Sequence, residues 1–287
     1  MENLSNPSTI KEVLSRHGFS FSKALGQNFL INPSVCPRIA EMGGAQSGWG
    51  VIEIGLGIGV LTAELAKRAD KVVGIEIDSR LLPILDETLK EFDNIHIINE
   101  DVLKVDLHQV IQEHFEGMDV AVCANLPYYI TSPILMSLLE QRLPIRSITV
   151  MVQKEAAQRI CAAPGTRETG SVSIAVQYYS EPKILFNVSR GSFMPSPDVD
   201  SCVIRLDVRP TPAVQVKDEK LFFQVVHGAF SQRRKTLSNC LSGYLKLSKT
   251  DVAQLLEQAG VAANARAEQL SMEQFAAIAD AYAEMKG

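Results

Sequence analysis

Cysteine is sparse in this sequence of 287 residues, and none of it is arranged for bonding. Cys36, Cys123, Cys161, Cys202 and Cys240 lie far apart, with no Cys-x-x-Cys pair and no histidine at metal-ligand spacing nearby. That pattern argues against a disulfide scaffold or a zinc module and points to reduced thiols in a cytosol. His17, His96, His108, His114 and His227 form no ligand set, so no metal is expected. Long apolar runs are missing as well. The first twenty residues mix Glu2, Lys11, Glu12 and Arg16 with polar residues, and no run elsewhere reaches the ~20 apolar residues of a membrane span. The expectation is a cytoplasmic protein with no membrane partner. Internal repeats and low-complexity tracts are absent from the sequence.

Excess positive charge is also lacking, since the formal net charge is −5. This bears on solubility and long-range steering, whereas nucleic-acid binding needs only a local basic surface. Residues 208 to 287 carry ten Lys/Arg against eight Asp/Glu, so the C-terminal part is slightly basic and the rest carries the acidity.

What is present is ordinary globular material. Hydrophobic residues make up 46% and charged residues 21%, enough for a sizeable core and for one large domain plus a small one. Between residues 51 and 152, short β-branched runs alternate with helical patterns. The predicted strands are 51 to 55, 71 to 77, 94 to 101, 118 to 126 and 147 to 152, with helical periods in LTAELAKRA, LLPILDETLKEF and SPILMSLLEQ between them. The class is therefore α/β, a Rossmann-like doubly wound parallel sheet. VSIAVQYY, PKILFNV and DSCVIRL, punctuated by Pro182, Pro195 and Pro197, read as added antiparallel strands. RPTPAVQV at 209 to 216 reads as a linker, placing a boundary near 208. Beyond it, Phe222, Val225, Val226, Ala229 and Phe230 share a stripe within a helical pattern at 218 to 246. Two more helices flank Gly260, giving a small all-helical domain over 209–287.

The chemistry gathers at the ends of the predicted strands. Glu53-Ile-Gly55-Leu-Gly57-Ile-Gly59 closes the first strand. Its Gly-x-Gly-x-Gly spacing lets backbone approach a ligand, and differs from the Gly-x-Gly-x-x-Gly that cradles a dinucleotide pyrophosphate. Twenty-one residues after Gly55, Glu76 ends the second strand, where a carboxylate can accept hydrogen bonds from both hydroxyls of a ribose. Asp101 ends the third. Taken singly these are a solvated charge and a helix cap; on one crevice they make a nucleoside site, as S-adenosylmethionine would need. Asn125-Leu126-Pro127-Tyr128 ends the fourth strand over the same crevice. The Asn125 side-chain oxygen and a proline-fixed carbonyl can accept both protons of an exocyclic amine, rehybridising a poor nucleophile, while Tyr128 stacks on the flipped base.

Five segments together carry a resemblance: Leu25-Gly26-Gln27-Asn28-Phe29-Leu30, Glu53 to Gly59, Asn125 to Tyr129, Phe193-Met-Pro195-Ser-Pro197 to Ser201, and Phe230-Ser-Gln-Arg233-Arg234-Lys235. In order and spacing, over essentially the whole chain, they resemble the ribosomal RNA adenine N6,N6-dimethyltransferases. Ser196 and Asp198 stand where relatives often carry other polar or basic residues. The resemblance implies an S-adenosylmethionine-binding catalytic domain over 1–208 and a helical RNA-binding domain over 209–287. The reaction it implies is dimethylation of N6 on two adjacent adenosines near the 3′ end of 16S rRNA. The substrate would be the 30S subunit or its precursor, with a role in subunit biogenesis, and the protein would act as a monomer. It implies cofactor contacts from Asn28, Leu30, Gly55, Gly57, Glu76, Asp101 and Asn125. The catalytic set it implies is Asn125, Leu126, Pro127, Tyr128 and Phe193, with Phe193 opposite Tyr128 across the base. Without it, Leu25 to Leu30 reads as the approach to a helix and Phe193 as a buried strand residue. Arg233, Arg234 and Lys235, late in the first C-terminal helix, with Arg16, Lys23, Arg38 and Arg146 elsewhere, are the expected phosphate contacts. Three alternatives stay open: the large-subunit rRNA adenine methyltransferases, the DNA adenine methyltransferases, and a non-catalytic factor that docks on immature subunits.

Overall fold

The computed structural model describes residue 4, residues 6–22 and residues 26–286; Lys23 and Leu25 lie outside the described residues. Nine strands occur among them: β1 (Phe29–Leu30), β2 (Trp49–Ile54), β3 (Lys71–Ile75), β4 (Ile95–Ile98), β5 (Asp119–Asn125), β6 (Ser147–Gln153), β7 (Ser180–Val188), β8 (Phe193–Met194) and β9 (Ser201–Val208). By contact density the chain forms two compact units, one of residues 1–157 and 183–208, the other of residues 158–182 and 209–287.

The first unit is built on a seven-stranded sheet in the order β4-β3-β2-β5-β6-β9-β7. β2 pairs in parallel with β3 and β5, β3 with β4, and β5 with β6, while β9 runs antiparallel to β6. The five strands expected between 51 and 152 are all present, and of the expected additions PKILFNV is β7 and DSCVIRL is the antiparallel β9. Runs such as Val120 to Ala124 and Ile148, Val150 and Val152 are buried throughout because helices cover both faces of a parallel sheet. Chain order reverses between β2 and β5, so a crevice opens at their carboxyl ends, the place where doubly wound sheets bind ligands. One apolar cluster joins Ile39, Val51, Leu61, Leu65 and Val72. A second joins Ile10, Val13 and Leu14 of the helix Pro7–Arg16 to Ile58, Ile84 and Leu85.

The second unit contains the helices Glu219–Ala229, Leu237–Leu245, Lys249–Gln258 and Met272–Lys286, and also Ser171–Tyr179. The last overturns an expected strand. VSIAVQYY alternates β-branched residues, yet the Ser173 hydroxyl accepts the Gly170 N–H at 2.9 Å and donates to the Arg159 carbonyl at 2.6 Å, capping a helix start. Tyr178 stacks on Phe222 at 4.8 Å, and the hydroxyls of Tyr178 and Tyr179 donate to Glu219 at 3.0 and 2.9 Å. Residues 158–182, grouped with the sheet in the sequence reading, therefore pack with the helices. The pattern at 218 to 246 is two helices. Ser231 ends the first by donating both its N–H and its hydroxyl to the Gly228 carbonyl, so Arg233, Arg234 and Lys235 stand exposed in the following turn and not in the helix. Among the described residues no helix is long and apolar enough to cross a membrane.

Candidate active site

The crevice in the first unit is lined by every residue singled out for cofactor or catalysis: Asn28, Leu30, Gly55, Gly57, Glu76, Asp101, Asn125, Leu126, Pro127, Tyr128 and Phe193. Its floor is the glycine turn after β2. Gly55 and Gly57 sit at φ +75° and +57°, and a Cβ on Gly57 would stand 3.3 Å from the Phe29 ring. Only glycine takes this path without strain, and it leaves room at the strand end.

Glu76, directly after β3, holds that turn. Its Oε2 accepts the Leu56 and Gly57 N–H groups at 2.9 and 3.3 Å, and Oε1 accepts the Asp78 N–H at 2.8 Å. A carboxylate has about four acceptor positions, so one is left over, and two if the longer Gly57 bond yields. Burial pushes the Glu76 carboxyl up, opposed by the three N–H donors. Asp101 is half-buried and caps the turn Val102–Lys104 by accepting the Leu103 N–H at 3.0 Å. It therefore fills the capping role while facing the crevice.

The segment Gly26 to Leu30 forms one wall. Instead of approaching a helix, Phe29–Leu30 pairs antiparallel with Phe193–Met194, Leu30 opposite Phe193, which brings together two of the resembling segments. The Met194–Pro195 peptide is cis. Phe193 is 4% exposed, buried opposite Leu30 while it lines the crevice. Gln27 fixes the wall by donating to Asp78 Oδ2 at 2.7 Å and accepting the Ser22 N–H at 2.9 Å. Arg80 grips the same Asp78, holding its carboxyl below the usual carboxylate range.

Asn125, the last residue of β5, uses its amide N–H on the Asn28 carbonyl at 3.5 Å, which leaves its side-chain oxygen as the free end. The Pro127 carbonyl accepts from the Ile130 N–H and the Thr131 hydroxyl, both at 3.2 Å. Tyr128 is half-buried, with its hydroxyl against Ser201 Oγ at 2.7 Å; burial raises its pKa.

Glu53 opens the glycine motif, where its residue type alone suggests no role. In the structure it is 1% exposed, lines the crevice, and its Oε2 has no hydrogen-bond partner among the described residues. Burial, with the Glu76 carboxylate nearby, pushes its carboxyl up to about 8. A raised carboxyl favours the proton-bound folded state, so this stability is present below the unfolded pKa of 4.5 and lost as pH rises through about 8. The wild-type Tm is thus expected to fall between about pH 5 and about pH 9 more steeply than that of Glu53→Gln. Parallel melting profiles would show that Glu53 is already ionised.

Of the scattered cations, Arg16 pairs with Glu12 and Glu87, Arg146 with Asp119, and Arg38 lies over the Phe186 ring at 3.8 Å. Each is engaged within the fold. Among the described residues no group of three or more His, Cys, Asp or Glu is placed to hold a metal ion.

A model of the family described as ribosomal RNA adenine dimethylase matches residues 18–284. The chain belongs to the ribosomal RNA adenine dimethylase family. It is 52% identical over 285 residues to the ribosomal RNA small subunit methyltransferase A of Bacillus cytotoxicus, covering 98% of each chain; the protein of that name from Bacillus mycoides matches equally. Among solved structures, a dimethyladenosine transferase from Plasmodium falciparum is similar at 27% identity and TM-score 0.72, over 87% of this chain and 95% of that one. The 23S rRNA methyltransferase ErmE is similar at 29% identity and TM-score 0.66, over 88% of this chain and 98% of that one. The fold of this family member is thus the α/β methyltransferase sheet, and the protein is an rRNA adenine methyltransferase.

Proposed function

We propose that the protein uses S-adenosylmethionine to dimethylate N6 of two adjacent adenosines near the 3′ end of 16S rRNA. It would act as a cytoplasmic monomer on the 30S subunit or its precursor, and so within subunit biogenesis. The observation that carries this reading is the convergence of the glycine turn, Glu76, Asp101 and Asn125 to Tyr128 on one crevice. The residues fit the cofactor: the positive-φ glycines leave backbone open at the strand end, Glu76 keeps an acceptor position for a ribose hydroxyl, and Glu53 offers a buried unpaired oxygen. Asn28, Leu30 and Gly57 would touch the cofactor, Gly55 its methionine side, Glu76 the ribose and Asp101 the adenine amino group. When bound, S-adenosylmethionine supplies an electrophilic methyl group.

The remaining chemistry belongs to the chain. The Asn125 side-chain oxygen accepts a hydrogen bond from one N6–H. Because the Pro127 carbonyl is already doubly occupied, the carbonyl assigned to the second proton is that of Leu126, whose direction the Pro127 ring fixes. Together they draw the amine towards a tetrahedral shape with its lone pair free. Tyr128, oriented by Ser201, stacks on the target base, with Phe193 bounding its other side. The proton leaves to water after transfer. The exposed turn Arg233 to Lys235 supplies phosphate contacts and a binding affinity that falls with salt. The test is to incubate the protein with labelled S-adenosylmethionine and unmethylated small subunits, then digest the RNA. N6,N6-dimethyladenosine is the expected product; label in cytosine, or monomethyladenosine alone, would overturn the reading.

A further inference from the structure

Tyr129 follows Tyr128 directly, yet the two side chains are placed in opposite ways. Tyr128 is half-buried and tethered at its hydroxyl. Tyr129 lines the same crevice but is 63% exposed, the most exposed of the large apolar side chains among the described residues. Its ring is nonetheless seated. Gly26, at φ +59°, lies against it so closely that a Cβ there would stand 3.4 and 3.6 Å from two ring carbons and 3.2 Å from Pro127 Cβ. The ring thus rests on the wall segment at the lip of the crevice and keeps most of its surface in water.

We propose that Tyr129 is the stacking platform for the nucleotide flanking the target adenosine. The proposal rests on the reading of the crevice as an RNA adenine site. A base drawn out of its stack into the pocket leaves its neighbour without a partner. That neighbour, joined by one phosphodiester, has to lie at the lip. An aromatic ring takes any base there, because every base has a π-face. A protein or membrane partner would call for a wider exposed apolar surface than one ring at the lip of a crevice. Tyr129 is accordingly a positioning residue, holding the RNA strand while Asn125 and Tyr128 act on the target.

The experiment compares wild type, Tyr129→Ala and Tyr129→Phe as full chains. On unmethylated small subunits, Tyr129→Ala should lower kcat/KM on the order of ten-fold, mainly through KM, and Tyr129→Phe should stay near wild type. Affinity for S-adenosylhomocysteine should be the same in all three. A single-stranded RNA with 2-aminopurine beside the target adenosine, on either side in turn, should be quenched on binding by wild type and Tyr129→Phe and not by Tyr129→Ala. An alanine variant matching wild type in both assays overturns the proposal. So does a phenylalanine variant as impaired as alanine, which would assign the work to the hydroxyl, or an alanine variant that loses S-adenosylhomocysteine. Failure of the dimethylase reading is distinguishable, because wild type would then transfer no methyl group while the quenching still decides whether Tyr129 stacks.

Discussion

Asn125→Ala is expected to lower kcat for methyl transfer by ~10² to 10³-fold, the loss typical when one preorganised hydrogen-bonding group is removed from a reacting centre. The amide divides its two ends: its N–H is spent on the Asn28 carbonyl, and its oxygen is left to accept a hydrogen bond from the amine. Alanine removes the acceptor and the anchor together. Asn125→Asp keeps oxygen acceptors but loses the donor to Asn28, so its rate should lie between those of alanine and wild type. Single-turnover transfer on unmethylated small subunits separates this from binding, and the melting temperature controls for folding, since Asn125 is only half-buried at the strand end. Dimethylation at the wild-type rate by Asn125→Ala would remove the acceptor role. A variant that stopped at monomethyladenosine would instead confine Asn125 to the second transfer, when one N–H remains.

The legible part of this molecule is the part whose pattern repeats. The β-branched runs ending at Ile54, Ile75, Ile98, Asn125 and Gln153 alternate with helices, and that alternation places the strand ends, hence Gly55, Glu76, Asp101 and Asn125, on one crevice. The helix Ser171–Tyr179 was hidden because it is buried nearly all round, at Ser173, Ile174, Ala175, Val176, Tyr178 and Tyr179, so it lacks the polar face that gives a helical period. The helix Leu107–His114 does carry a sequence signal: Asp106 as cap, accepting the Gln109 N–H, and Leu107, Val110 and Ile111 on one face. No periodicity could have shown that Phe29–Leu30 pairs with Phe193–Met194, since two-residue strands so far apart in sequence carry no pattern. The same holds for Glu53. Its position in β2 reads as alternation in a strand, and only the packed fold reveals a buried carboxyl in the crevice with one oxygen unpaired among the described residues.

Glu76→Ala should cost the protein both its cofactor and part of its stability, because one side chain serves both. Three backbone N–H groups, of Leu56, Gly57 and Asp78, lose their acceptor, and each left buried and unpaired costs ~1 to 3 kcal/mol. The glycine turn is then free to leave the path that opens the crevice. Losing a hydrogen bond from a ribose hydroxyl to the spare position of a charged acceptor, at ~1.5 to 3 kcal/mol, corresponds to a fall in S-adenosylhomocysteine affinity of roughly ten- to a hundred-fold. Glu76→Gln separates the two roles. Its amide oxygen can take the Oε2 position and keep the Leu56 and Gly57 bonds, but its amide nitrogen then faces the Asp78 N–H, donor against donor. The melting temperature of Glu76→Gln should therefore recover part of the loss seen with alanine. Its affinity should stay depressed, since the spare acceptor position lies on the oxygen that has been replaced. Calorimetric titration of both variants with S-adenosylhomocysteine, beside their thermal melts, reads the two effects independently. A folded Glu76→Ala protein that binds at wild-type affinity would leave Glu76 as a brace for the glycine turn and move the ribose contact elsewhere.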